Sequence, residues 1–89
     1  MITIPKLERS FKALANKRRL QILLHLKKHG SSTVYEIARA INLRIQATSQ
    51  HLKIIKLTGI VTSRKQGLYI YYQLSRRQEK IVRKTLSLL

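Results

Sequence analysis

The stretch TVYEIARAINLRIQATSQHLKIIKLT, residues 33–58, contains two short helical patterns separated by only a few residues. Thr33 and Glu36 form a capping box at the start of the first pattern, and its apolar residues continue at helical spacing to Asn42. The second pattern begins near Ile45 and continues to the end of the stretch. Two short helices joined by a tight turn have the geometry of a helix-turn-helix.

The second of these predicted helices is polar on its outward side. Leu52, Ile55, His51 and either Ala47 or Thr48 are expected to turn inward, because they share one helical face. Side chains that both donate and accept hydrogen bonds read base edges, and cations at the helix ends can reach guanine or phosphate. The predicted DNA-binding residues of this helix are Arg44, Ile45, Gln46, Ser49, Gln50 and Lys53.

After Gly59 the sequence changes to runs of β-branched and aromatic residues. The segments 60–65 and 68–74 predict two strands, and Gln66–Gly67 between them predicts a hairpin turn. Such a hairpin can act as a wing that contacts a flanking minor groove or the DNA backbone. The predicted DNA-binding residues of the wing are Arg64, Lys65 and Gln66.

Three more helices are predicted outside this region. Apolar spacing indicates helices over about 5–15 and 17–29, and a last helix over 76–89 that Ser75 would cap. The predicted fold is therefore mainly α with a β-hairpin wing, a winged helix-turn-helix of order α-α-α-α-β-β-α. We expect residues 1–89 to form a single domain.

The first and last helices carry more apolar surface than so small a chain can cover. Eighty-nine residues allow only a marginal core, and a symmetric homodimer would bury the excess. The alternative is that both helices fold only onto their own domain. The predicted dimer-interface residues are Leu7, Phe11, Leu14, Ile81, Val82, Leu86 and Leu89.

The charge of the chain predicts a polyanionic partner. Nineteen Lys and Arg residues face three acids, which gives a formal net charge of +16. No apolar run approaches the roughly 18 residues of a membrane span, and the N-terminal residues lack the pattern of a signal peptide. We therefore expect double-stranded DNA rather than a membrane as the partner, and a cytoplasmic, prokaryotic nucleoid-associated location.

Several motifs resemble the ArsR/SmtB family of winged-helix transcriptional regulators. LANKRRLQIL at 14–23 looks like the family's Leu-Ala-Asp-Pro-x-Arg-Leu-x-Ile-Leu opening, and 49–55 and 64–74 are similar to its second block and its wing. The resemblance covers about 7–75 and implies homodimers that pair through the first and last helices. The family usually has Ser or Thr where this chain has Arg44, a cation that a nearby DNA phosphate would favour.

The metal-binding motifs of that family are missing. Relatives hold metals through Cys-x-Cys at the start of the third helix, where this chain has Thr33–Tyr35, or through His and acids on the last helix, where it has only Glu79. His25 and His29 have chelating spacing, but no further ligand lies near them in sequence. We expect no metal and no cofactor, and no small-molecule ligand is identifiable.

Three functions remain open at this point. The first is a sequence-specific regulator, a repressor that occludes a promoter as a homodimer, and the second is an architectural, chromatin-like DNA-binding protein with little sequence specificity. The third is an antitoxin-like adaptor that binds another protein through the apolar terminal helices. An enzyme is not expected, because the chain has no glycine-rich phosphate loop, no cysteine nucleophile and no paired carboxylates.

Overall fold

Five helices and three strands follow one another along residues 1–89, all of which the computed structural model describes. The prediction of a mainly helical fold with a hairpin wing is confirmed, with one additional short strand before the third helix. In chain order the elements are α1 (Ile4–Leu14), α2 (Lys17–His29), β1 (Ser32–Thr33), α3 (Val34–Ile41), α4 (Ile45–Leu57), β2 (Val61–Gln66), β3 (Tyr69–Leu74) and α5 (Lys80–Ser87).

Side-chain caps start the first three helices. The Asn16 Oδ1 atom accepts from the Arg19 backbone N–H at 3.1 Å, and α2 occupies the residues that the sequence predicts. The Thr33–Glu36 capping box is complete in both directions, as predicted. Thr3 caps α1 about two turns before its first buried residue, Ser10. These bonds satisfy backbone donors that have no partner inside a helix.

The core lies between α2 and the helix-turn-helix. Ile22 and Leu23 of α2 are fully buried, as are Leu52 and Ile55 of α4. One turn earlier on α4, Thr48 is also fully buried. Of the two candidates Ala47 and Thr48, it is therefore Thr48 that faces inward. This packing fixes the back of α4 and leaves its opposite face in solvent.

The three strands form an antiparallel sheet in the order β1-β3-β2. Val61 pairs with Leu74 and Gln66 with Tyr69, so the two residues of the turn are Gly67 and Leu68. The turn therefore lies one residue later than predicted, because Gly67 has a φ of +63°, a backbone conformation that glycine adopts without strain. β1 pairs its two residues with the middle of β3 and anchors the wing to the start of α3.

The last helix begins four residues later than predicted. The Ser75 hydroxyl donates to the Gly59 carbonyl at 2.5 Å instead of capping a helix. The Gln78 side chain donates to the Ile60 carbonyl at 2.8 Å. These contacts hold the segment before α5 against the residues that follow α4. Because Ser75 and Gln78 are engaged there, the helix starts only at Lys80.

Three cations bind helix C-terminal ends. Arg18 Nη1 donates to the Ile41 carbonyl of α3 at 2.7 Å, and Arg19 Nε donates to the Ala13 carbonyl of α1 at 2.6 Å. Lys27 Nζ donates to the Leu86 carbonyl of α5 at 2.8 Å. Because the last carbonyls of a helix have no intrahelical donor, each cation satisfies a backbone group and opposes the negative end of the helix dipole.

Candidate nucleic-acid interface

The outward face of α4 presents polar side chains to solvent. Gln46, Gln50 and Lys53 are exposed, and Ser49 is half-buried. They are held in position by the buried face behind them, where the Thr48 hydroxyl donates to the Arg44 carbonyl at 2.9 Å. An exposed polar ridge on a rigid helix has the dimensions that the major groove admits.

The first turn of α4 has no side-chain cap. Arg44 occupies the N-cap position and makes no side-chain cap bond, so its side chain is free in solvent. Ile45 beside it is 43% exposed. Both residues line an open cleft of about 840 Å³ between α3 and α4, together with Arg39 and Tyr35. Free backbone donors and nearby cations at a helix start favour a bound phosphate.

The cations of the wing lie on opposite sides of the hairpin. Arg64, Lys65 and Gln66 are all exposed near the turn, and all three belong to β2. Since side chains alternate along a strand, Arg64 and Gln66 project from one face and Lys65 from the other. The two cations therefore start from opposite faces of the wing and can contact two different backbone segments.

An aromatic pair that the sequence analysis did not identify joins α3 to the wing. The rings of Tyr35 and Tyr69 have centroids 6.4 Å apart at an interplanar angle of 87°. The two residues are 55% and 50% exposed. Edge-to-face pairs of this kind are favourable, so this contact supports the orientation of the wing next to the helix-turn-helix. Their sequence separation gave no local signal for the pairing.

The residues predicted at a dimer interface differ in how much surface they leave accessible within one chain. Leu14 and Val82 are 6% and 1% exposed within one chain, so they belong to its core and have almost no surface left to bury. Phe11 is 49% exposed. Leu7 and Ile81 line one cleft of about 490 Å³ between α1 and α5. The half-buried residues Leu86 and Leu89 pack against the edge of the core.

The positive charge of the chain is almost unneutralised. One ion pair is present, between Lys12 Nζ and Glu8 Oε2 of α1 at 3.9 Å. None of the cations of α4 or the wing is paired with a carboxylate, so both elements keep their full charge for a polyanion. No helix combines the length and the apolar character that crossing a bilayer requires.

Comparison with known proteins identifies the family. The profile of the bacterial regulatory proteins of the arsR family matches residues 16–63, which include α2, the helix-turn-helix and the start of the wing. The chain belongs to the ArsR family. Because members of this family are transcriptional regulators that bind DNA, the prediction that the chain is not an enzyme is confirmed.

Two curated relatives, and a solved structure of one of them, support the assignment. The arsenical resistance operon repressor of Bacillus subtilis is 33% identical over 79% of this chain and 67% of its own length. The transcriptional activator HlyU of Vibrio cholerae is 41% identical over 78% of this chain and 63% of its own length. The chain thus spans about two thirds of each relative. Reduced HlyU superimposes with a TM-score of 0.81 at 35% identity, covering 96% of this chain and 85% of HlyU.

A third relative supports the winged helix directly. The homodimeric winged helix-turn-helix DNA-binding domain of Mb0332 from Mycobacterium bovis has a TM-score of 0.82 and 34% identity. The superposition covers 96% of this chain and 75% of that domain. The ArsR-type winged helix-turn-helix predicted from the sequence is therefore confirmed.

In this ArsR-family chain, the arrangement that most resembles a metal site is the histidine pair of α2. The rings of His25 and His29 have centroids 4.7 Å apart, and no group of three His, Cys, Asp or Glu side chains comes together to hold a metal. His25 Nε2 lies 3.1 Å from Ser32 Oγ. Burial, and then the neighbouring His29, lower the pKa of His25, while Glu36 acts in the opposite direction.

Proposed function

We propose that residues 1–89 act as one winged helix domain that binds specific double-stranded DNA sequences as a homodimer and represses transcription without a metal sensor. The observation that carries the proposal is the exposed polar face of α4, held rigidly by a fully buried opposite face. We place the protein in the cytoplasm at the nucleoid, where its DNA target would lie.

In this proposal α4 is the recognition helix. Gln46 and Gln50, one turn apart on its outward face, have the amide geometry that pairs with adenine, while Lys53 suits guanine. Ser49 lies at the edge of the same face and can bond to either. Ile45, exposed at the start of the helix, suits a thymine methyl group.

The remaining predicted contacts go to the DNA backbone. Arg44 at the uncapped start of α4 binds a phosphate that also meets the free backbone N–H groups of the first turn. Arg64 and Gln66 on one side of the wing, and Lys65 on the other, contact the flanking backbone or minor groove. These contacts fix the register of the protein on the duplex and add affinity for any sequence.

The proposed dimer interface is narrower than the predicted one. Leu14 and Val82 are left out because they lie in the core of one chain. The interface is built by exposed Phe11 and half-buried apolar residues of α1, α5 and the chain just after α5. Its proposed residues are Leu7, Phe11, Ile81, Leu86 and Leu89. The homodimeric state of the similar Mb0332 domain supports a homodimer.

We propose that no metal controls this protein. The chain has no cysteine, and the His25–His29 pair has no third donor from His, Cys, Asp or Glu beside it. A structural or sensing metal site needs a closed set of ligands. Repression then follows from occupancy of the promoter by the dimer itself.

Selection from a random duplex library tests the central claim. We expect one imperfect palindrome with half-sites about one helical turn apart, or a multiple of that distance. At physiological salt the enriched duplex should bind at least about 10³-fold more tightly than a scrambled duplex. Equal affinity for both duplexes would overturn sequence-specific regulation.

Variants separate base reading from backbone contact. Gln46→Ala and Gln50→Ala should lower the ratio of affinities for the enriched and scrambled duplexes, because they remove base contacts. Arg64→Ala and Lys65→Ala should weaken binding to both duplexes and reduce the slope of log affinity against log salt by about one per lost phosphate contact. If the glutamine variants keep the wild-type ratio, α4 is not the reading element.

One observation favours the architectural alternative. Lys6 and Arg9 of α1 and Lys56 of α4 outnumber the single acid, Glu79, along a separate groove of about 280 Å³ beside the end of α4. A dimer would carry twice the +16 of one chain, more than a short operator needs. A footprint that spreads along any duplex as protein is added would support this function, and a footprint that stays at one site would exclude it.

A further inference from the structure

Arg19, in the first turn of α2, is bound on three sides. Its Nε donates to the Ala13 carbonyl at 2.6 Å, and its Nη2 donates to the Lys12 carbonyl at 2.9 Å. Its Nη1 lies 3.3 Å from the Nδ1 atom of His51. One half-buried guanidinium therefore touches the end of α1 and the middle of α4 at the same time.

This contact set uses the particular shape of arginine. A guanidinium presents its donors in a rigid planar fork, and a lysine ammonium cannot reach three separated acceptors with the same geometry. The two carbonyls of α1 fix the plane of the Arg19 fork, so the third arm points at His51 from a fixed direction. Since α1 carries proposed dimer residues and α4 carries the reading residues, Arg19 lies between the two functional surfaces.

His51 makes this contact only in its neutral form. Because all the nitrogens of Arg19 donate, Nδ1 of His51 must accept, and the ring proton sits on Nε2. The charged groups that act on the ring are Arg19 and Arg18, both on α2, and α1 contributes only backbone carbonyls to the cluster. Burial, and then these two arginines, lower the pKa of His51 below its usual value of 6.5.

We propose that Arg19 is a positioning residue that sets the orientation of the recognition helix through neutral His51, so that acidification breaks this contact, shifts α4 on its core and weakens operator binding. A proton on Nδ1 would replace the acceptor with a donor and place a second positive charge against the guanidinium. This inference rests on the proposed role of α4 in reading DNA. The contact between Arg19 and His51 can be tested without DNA.

The direction of the pH effect distinguishes this mechanism from general electrostatics. Protonation of His25 adds positive charge, which strengthens binding to a polyanion as the pH falls. Release of His51 weakens binding over the same interval. A loss of operator affinity on acidification therefore reports the Arg19–His51 contact and not the net charge.

The first experiment measures affinity for the enriched duplex at pH 7.5 and pH 5.5 at constant ionic strength. We expect wild type to bind more weakly at pH 5.5, by at most about tenfold, since pH 5.5 lies one unit below the usual histidine pKa of 6.5 and one unit corresponds to a factor of ten. His51→Asn keeps an acceptor near the position of Nδ1 and does not titrate, so it should bind well at both pH values. His29→Asn is the matched control and should keep the wild-type loss.

The second experiment follows the His51 ring proton by NMR in the absence of DNA. Arg19→Gln removes the charge and two arms of the fork, so the His51 pKa should rise toward 6.5 and operator affinity at pH 7.5 should fall. Arg76→Gln removes the same charge from an exposed residue of the loop before α5 and should leave the His51 pKa unchanged. Circular dichroism of each variant checks that the helices are intact.

Two results would overturn the inference. One is an acid loss of operator affinity in His51→Asn equal to that of wild type. The other is a His51 pKa that Arg19→Gln leaves where Arg76→Gln leaves it. If wild type fails to distinguish the enriched duplex at any pH, the proposed function fails instead, and the NMR comparison still decides whether Arg19 controls His51.

Discussion

The Thr33 cap allows a quantitative prediction about the stability of the helix-turn-helix. Thr33 Oγ1 accepts the Glu36 backbone N–H at 3.2 Å, and the residue is 6% exposed. Loss of a side-chain cap costs about 1 kcal/mol, and loss of a buried methyl group costs about 0.8 kcal/mol. Thr33→Ala should therefore lower the free energy of unfolding by about 2 kcal/mol at pH 7.

Thr33→Ser is the matched control for this variant. Serine keeps the capping oxygen and loses only the methyl group, so it should cost about 0.8 kcal/mol. The difference between the two variants isolates the cap at about 1 kcal/mol. In a domain of this size that difference separates the melting temperatures by about 4–8 °C. Thermal unfolding is followed by circular dichroism at one protomer concentration, because dimerisation makes stability depend on concentration.

The other half of the capping box adds a pH dependence with a definite sign. The Thr33 backbone N–H, and then its hydroxyl, lower the pKa of Glu36 below its usual 4.5. A carboxylate with a lowered folded pKa stabilises the fold above its unfolded pKa, and that contribution is lost as the pH falls through the folded value. Glu36→Gln should thus be less stable than wild type at pH 7, and the gap should close below pH 4.5.

The capping argument would be refuted if Thr33→Ala and Thr33→Ser melted at the same temperature. It would also be refuted if the gap between wild type and Glu36→Gln stayed constant from pH 7 down to the acid limit of folding. Either result would mean that these hydrogen bonds, although formed, make no net contribution to the free energy of unfolding.

Three further predictions concern packing and assembly. Phe11→Asp should convert the dimer to monomer in analytical ultracentrifugation at micromolar concentration, because it places a charge on the proposed α1 interface; an unchanged sedimentation coefficient would exclude Phe11 from that interface. Leu52→Ala should cost about 2–5 kcal/mol in urea unfolding, since the side chain is fully buried. A double-mutant cycle of Tyr35→Ala and Tyr69→Ala should give a coupling of about 0.5–1.5 kcal/mol in the same assay, and additive costs would mean that the two rings act independently.

Elements specified by neighbouring residues could be predicted from the sequence. The bounds of α2 follow from Asn16 before it and Gly30 after it, and both residues serve as caps in the structure. The capping box and Asn42 likewise define α3, where Asn42 adopts the left-handed conformation that ends the helix. In each case the residue that predicts a helix end lies within one turn of that end.

Elements that depend on distant partners could not be predicted. β1 is two residues long, and it exists because Ser32 and Thr33 pair with β3 about forty positions later in the chain. Ser75 looked like a helix cap, but its hydroxyl bonds to Gly59, sixteen residues earlier. A competing tertiary hydrogen bond therefore decides where α5 begins, and no local pattern contains that information.

The candidate site shows the same division. The polar face of α4 follows from helical spacing: Gln46, Gln50 and Lys53 are exposed as that spacing predicts, and Ser49 at its edge is half-buried. The apolar spacing of α1 and α5 could not show that Leu14 and Val82 point into the core of their own chain. The sequence also could not show that Arg19 reaches His51 across thirty-two positions, because that contact depends on how α2 packs against α4.

The cations at the ends of α1, α3 and α5 limit how far the composition of this protein can be redesigned. Arg18, Arg19 and Lys27 count toward the formal charge, yet each bonds a backbone carbonyl of another helix. A charge-reduced version could replace exposed cations such as Lys84 with neutral residues and keep the scaffold. Neutralising these three would loosen three helix ends at once, so two of the three cations in the most basic stretch of the chain, Arg18 and Arg19 of KRR at 17–19, are also among the least replaceable.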